Sequence, residues 1–190
     1  MERYINKLIF NTLWWNMEKN EPETNEGVWV SLPATEKENY LAFHRASFEE
    51  DLKHAEKNFL EFPRWSIISG YYCMHDITKF FLAEMFNIKV SSPEVHAKTI
   101  SALEHFVKDD ALRKKLLSLL KEADKAYYDA ERLKERILPA LLKRGKQERG
   151  RAQYYSEDYS KERGVSSQKA LYFLDMIVKP YVKIVKGLMG

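Results

Sequence analysis

Arg64-Trp-Ser-Ile-Ile-Ser-Gly-Tyr-Tyr-Cys-Met-His-Asp-Ile-Thr-Lys-Phe-Phe-Leu-Ala-Glu-Met-Phe-Asn87 is the stretch from which the fold follows. Pro63 in front of it supplies a helix start, because a first-turn residue needs no N–H donor. Ile67, Ile68, Tyr71, Tyr72, Met74, Ile77, Phe80, Phe81, Met85 and Phe86 wrap most of the helical circumference. A surface helix keeps one broad polar face, so this pattern describes a central, nearly enclosed helix. Ser66, Ser69, Gly70 and Cys73 form a narrow stripe of small residues that lets a neighbouring helix approach closely. Gly70 in mid-helix costs about 1 kcal/mol against alanine, so tertiary burial must be strong here.

Amphipathic segments flank this core on both sides. Residues 3–17 carry Tyr4, Ile5, Leu8, Ile9, Leu13 and Trp14 at helical spacing, and a polar linker follows to Lys37. Within the linker, Val28-Trp29-Val30 reads as an extended piece lying on the bundle. Thr35 and Glu38 predict a capping box, opening a helix through Leu41, Phe48, Leu52, Ala55, Phe59 and Phe62. Ser92-Pro93-Glu94 predicts a serine cap with proline in the first turn of a shorter helix through Phe106. Asp109 or Asp110 caps the next, where Leu112, Leu116, Leu119, Ala123, Ala126, Ala130, Leu133, Ile137 and Leu141 alternate steps of four and three. Pro139 should kink or break that helix near Glu135 to Leu138. The last helix starts near Ser166 or Ser167 and runs through Leu171, Leu174, Val178, Tyr181, Val185 and Leu188, with Pro180 disturbing its middle.

The expected fold is therefore all-α, an up-and-down bundle of four to five main helices over residues 38–190, preceded by a helical and linker extension over 1–37. One cysteine in 190 residues excludes an internal disulfide framework and points to a reducing, cytoplasmic compartment. The opening Met1-Glu2-Arg3-Tyr4 enters an amphipathic pattern directly, so no leader is expected. No apolar run approaches the roughly 20 residues of a membrane span.

The net charge is +3, but it is unevenly placed. Arg132 to Arg151 holds eight Lys/Arg against Glu135 and Glu148, a local +6, leaving −3 for the remainder. Such a segment suits a phosphate-bearing or acidic partner, or is a solvated helix face.

Specific chemistry finds little support in the residues. A bundle-type metal site needs inward carboxylates with Glu-x-x-His pairs. The chain offers Asp51-x-x-His54 once and no Glu-x-x-His. His75 and Asp76 are adjacent and point about 100° apart on a helix, so His75 reads as a core or interface residue. His96 reads as a brace for the start of its helix. Cys73 lies in apolar surroundings with no base placed for it. Neither a cofactor nor a metal is expected, and no residue is assigned a catalytic role.

Ser69-Gly70-Tyr71-Tyr72-Cys73-Met74-His75 and the later Ser91-Ser92-Pro93-Glu94-Val95-His96 resemble motifs of the HEPN superfamily, the higher eukaryotes and prokaryotes nucleotide-binding domains, especially its small prokaryotic members. Arg149-Gly150-Arg151-Ala152-Gln153-Tyr154, then a loop with Ser156-Glu157-Asp158 and a final helix, continue the resemblance, which covers roughly residues 38–188. It implies a helical, commonly paired domain that contacts RNA, a nucleotide or a partner nucleotidyltransferase, often in toxin–antitoxin or defence systems. Nuclease members carry Arg followed four to six residues later by His. Here positions 153–157 are Gln, Tyr, Tyr, Ser and Glu, and no His follows Gln153.

The binding candidates are therefore Lys143, Arg144, Lys146, Arg149, Arg151, Tyr154 and Tyr155. Cations neutralise phosphates and tyrosines stack on bases. Equally, Tyr154 fills a core position and Arg149 pairs with a carboxylate such as Asp158. Three classes stay open: a non-catalytic binding module, a metal-independent ribonuclease with His75 or His96 standing in, and a structural dimerisation bundle.

Overall fold

The structure, a computed structural model, describes Asn25, residues 27–131 and 165–190, and the backbone alone of 132–147. The expected helix over 3–17 lies outside the described residues. The elements are β1 (Trp29–Ser31), α1 (Ala34–Asn58), α2 (Pro63–Phe86), β2 (Ile88–Val90), α3 (Val95–Phe106), α4 (Asp110–Gln147), α5 (Ser167–Phe173), a π-helical turn (Leu174–Val178) and α6 (Lys179–Met189). The chain is an all-α bundle with one small antiparallel ribbon, β1 pairing with β2 in the register Trp29↔Val90 and Ser31↔Ile88.

α2 is the axis of this bundle. Every residue from Ser66 to Tyr71 on it is buried, as are Cys73, Met74, His75, Ile77, Thr78 and Phe80 to Ala83. α1 covers one side, and α3, α4, α5, the π turn and α6 cover the rest. Most of the apolar circumference of α2 is covered by other helices of the same chain, with Trp65 and Tyr72 left partly exposed.

The small-residue stripe serves two neighbours rather than one. Ser66 donates its hydroxyl to Ala55 O at 2.7 Å, and Ser69 Oγ lies 2.7 Å from His54 Nδ1, both on α1. Gly70 instead faces the C-terminal segment, where a Cβ would stand 2.8 Å from Phe173 Cε1 and 2.9 Å from Val178 Cγ2. Glycine is required there by close approach.

Helix ends follow local chemistry with two departures from expectation. α1 starts at Ala34 after Pro33 without a side-chain cap, so Thr35 and Glu38 form no capping box. Buried Leu32 donates its N–H to Asn87 O at 2.8 Å, which fixes the entry. Glu36 pairs with Lys89 at 2.6 Å. Before α3, Glu94 has φ 60°, outside helical geometry, so the helix begins at Val95 and Ser92 does not cap it. Elsewhere the signals hold. Asn87 closes α2 in the left-handed conformation that asparagine tolerates (φ 55°). Asp109 Oδ1 accepts from Leu112 N at 2.7 Å, and Ser166 Oγ accepts from Lys169 N at 3.2 Å.

Two prolines behave differently. α4 continues through Pro139 without the expected break. Pro180 lacks an N–H and its ring crowds the carbonyl four residues back. The helix widens into the π turn just before it, which relieves that clash. The added residue also rotates the face: Ala170, Phe173 and Leu174 are buried, whereas Leu171 is exposed. Phe62, at the end of the apolar series of α1, stands exposed at the α1–α2 turn.

Trp29 and Leu32 belong to the core, so the stretch before α1 is an integral part of the bundle. Among the described residues no helix is long and apolar enough to cross a membrane.

Candidate functional site

Helical spacing on α2 aligns Tyr71 with His75, one turn apart, and sets Tyr72 beside them. α3 brings His96 to the same place, and α4 brings Asp124, Tyr127 and Tyr128. The two sequence motifs, on α2 and before α3, meet here in space. His75 and His96 stack nearly parallel, centroids 4.2 Å apart at 15°. Tyr71 and Tyr127 form a second parallel stack, 4.2 Å apart at 17°. Tyr71 meets His75 edge-on at 4.6 Å, and Tyr72 packs against His96 and Tyr127.

The polar atoms of this cluster are unequally served. The Tyr71 hydroxyl lies 3.0 Å from His96 Nδ1 and interacts with the Asp124 carboxylate. The phenol can donate to a bare Nδ1 or accept from a protonated one, according to the His96 tautomer. Burial and the Asp124 charge push the Tyr71 phenol far up, and it stays protonated. His75 is wholly buried and neither ring nitrogen has a hydrogen-bond partner among the described residues. Burial, then His96 and Lys79, push its imidazolium down to about 3, so it is neutral near pH 7. Burial lowers His96 as well. Tyr127 is raised to about 12 by its contact with the Tyr72 hydroxyl, 3.4 Å away, and by burial.

His75 therefore sits in the core, as its neighbours in sequence suggested, and has no route to a substrate proton. His96 faces α2 rather than bracing its own helix. Asp76 points away from His75 and accepts from Lys79 Nζ at 2.9 Å, with His44 Nδ1 at 3.0 Å. Burial opposes its charge, but these two partners prevail and hold it below the usual carboxylate value.

The cluster opens outward through rings. Tyr72 is 36% exposed and Tyr128 60% exposed, and Tyr127 is half-buried between them. Arg64 anchors the N-terminus of α2 to the same helix, its Nε donating to Ala130 O at 3.0 Å and its guanidinium reaching Glu131 at 3.2 Å. Tyr127, Tyr128, Asp124 and Arg64 were not singled out by sequence. The available signal was a tyrosine pair on an otherwise charged helix, off its apolar steps.

Of the basic candidates, Lys143, Arg144 and Lys146 lie on the last turns of α4, about 22 Å along the helix axis from Tyr128. Arg149, Arg151, Tyr154 and Tyr155 lie outside the described residues. Among the described residues no three His, Cys, Asp or Glu side chains converge to hold a metal ion. Compared with models of protein families, with curated proteins and with solved structures, the chain finds no match.

Proposed function

We propose that this chain is a non-catalytic, HEPN-like binding module for RNA or a nucleotide. One observation carries the reading. A single 38-residue helix, α4, joins the partly exposed tyrosines of the cluster to a segment with six Lys/Arg against one Glu between Arg132 and Gln147. Rings that stack on bases and cations that neutralise phosphates along one rod are what a single strand needs. Arg149, Arg151, Tyr154 and Tyr155 continue the same chemistry in sequence. The resemblance supports the reading and adds a nucleotidyltransferase, in a toxin–antitoxin or defence setting, and a second copy of this chain as protein partners.

Catalysis by a ribonuclease route is disfavoured on chemical grounds. Cleavage without metal needs an acid or base within reach of the ribose. His75 is enclosed, and the arginines at 149 and 151 lack a following histidine. The test is fluorescence-anisotropy titration with a labelled single-stranded RNA at several salt concentrations. Replacing Lys143, Arg144, Lys146 and Arg151 by Glu should abolish binding and flatten its salt dependence, with the helical spectrum unchanged. Unchanged binding would reduce the basic face to solvated surface. RNA cutting lost in Arg149→Ala would make the chain an enzyme.

A further inference from the structure

The α1–α2 hairpin carries a second concave surface, lined by residues other than those of the tyrosine cluster. Asp51, His54 and Asn58 follow one another at steps of three and four along α1. Ile68 and Ser69 stand three and four residues after Trp65 on α2, and Phe62 closes the turn between the helices. With Glu50 they line an open cleft of about 720 Å³. That size lies within the range of small-molecule sites, which combine apolar walls with a few convergent polar groups.

The two ends of the cleft differ in chemistry. Trp65 and Phe62 are about half exposed, which is unusual for rings of this size on a helix hairpin. At the other end stand the carboxylates of Glu50 and Asp51, neither of which is in an ion pair with another described residue. Asp51 is half-buried, and burial together with the charges of Asp76 and Glu50 raises it to about 6. A carboxylate so placed gains from an incoming cation. Between the ends, the His54–Ser69 pair and Asn58 offer hydrogen-bonding groups. The Trp65 ring already attracts a guanidinium, since Arg64 Cζ lies 5.3 Å from its centroid. Indole faces hold cations through the ring quadrupole.

We propose that this cleft binds a small organic cation, an ammonium or guanidinium group carried on a hydrocarbon body, with Asp51 and Glu50 taking the charge and Trp65 and Phe62 the body. The inference does not depend on nucleic-acid binding, because the cleft shares no residue with the tyrosine cluster or the basic segment.

Isothermal titration of the full chain with phenethylamine, with N-acetyl-arginine amide and with neutral 2-phenylethanol tests it. At least one cation should bind one-to-one with a dissociation constant below about 1 mM, and 2-phenylethanol should not. Asp51→Asn should weaken binding about tenfold and Trp65→Ala comparably, with both variants retaining the wild-type melting transition. Binding of the arginine amide alone would assign the site to a side chain of a partner protein, and binding of phenethylamine to a free amine. The proposal fails if neither cation binds at about 5 mM, if the alcohol binds equally well, or if Asp51→Asn binds like the wild type.

Discussion

His75 gives the sharpest quantitative test of the interior. Its imidazolium is pushed down from 6.5 to about 3 in the folded chain, because the ring is enclosed and has no acceptor for a second proton. Between these values the unfolded chain binds one proton more than the folded one. Stability therefore rises with pH, and falls as pH is lowered through 6.5 towards 3. Each pH unit below 6.5 costs about 1.4 kcal/mol, which amounts to about 2 kcal/mol between pH 7.5 and pH 5. That is a substantial part of the stability of an ordinary domain. Urea unfolding followed by far-UV circular dichroism at the two pH values measures it, with His75→Phe as comparator. The wild type should lose about 2 kcal/mol more than the variant over this interval. At neutral pH His75→Phe should be stabilised or nearly neutral, because two unpaired buried nitrogens are removed while the stack on His96 is kept. If both proteins lose the same stability on acidification, the enclosure of His75 and the reasoning from it are wrong. His75→Leu, which also removes both nitrogens but adds less volume than phenylalanine, guards against overpacking as an explanation.

Gly70→Ala should destabilise by about 1–2 kcal/mol, since displacement of buried Phe173 and Val178 outweighs the gain in helix propensity; the urea midpoint reads this. Asp76→Ala should cost about 2–4 kcal/mol at neutral pH, because it strands His44 and Lys79 in a mostly buried site. That penalty should shrink below pH 3.8, where the wild-type carboxylate itself takes up a proton as pH falls through its lowered folded value. Tyr181→Phe should cost about 1 kcal/mol, as Thr78 Oγ1 loses its 2.6 Å contact with the phenol and keeps its bond to Met74 O. Organic-cation binding at the hairpin cleft should weaken about tenfold from pH 7.5 to pH 5, because Asp51, raised to about 6, is charged at the first and mostly neutral at the second; calorimetry at both values checks it.

The helical class, the central place of α2 and the ends of several helices were legible in sequence because they are local matters. Apolar spacing reports which faces are buried, and Pro63, Asp109 and Ser166 act on N–H groups within their own turn. The same locality explains the misses. Thr35 and Glu38 have the composition of a capping box, but Leu32 is pinned to Asn87 across the bundle and the helix starts before they could form one. Leu171 continues a periodic pattern that the π turn ahead of Pro180 rotates to the outside. Spacing could say that Ser66, Ser69 and Gly70 permit close approach, not that two different helices use them. The tyrosine–histidine cluster draws on three helices, and the hairpin cleft on facing turns of two. Their residues are separated by as many as 56 positions, from Tyr71 to Tyr127, and only the tertiary path of the chain decides that these rings stack while Tyr128 points to solvent. Periodicity determines how much of each helix must be covered; which side chain does the covering, and which polar atom is left without a partner, is settled by long-range packing.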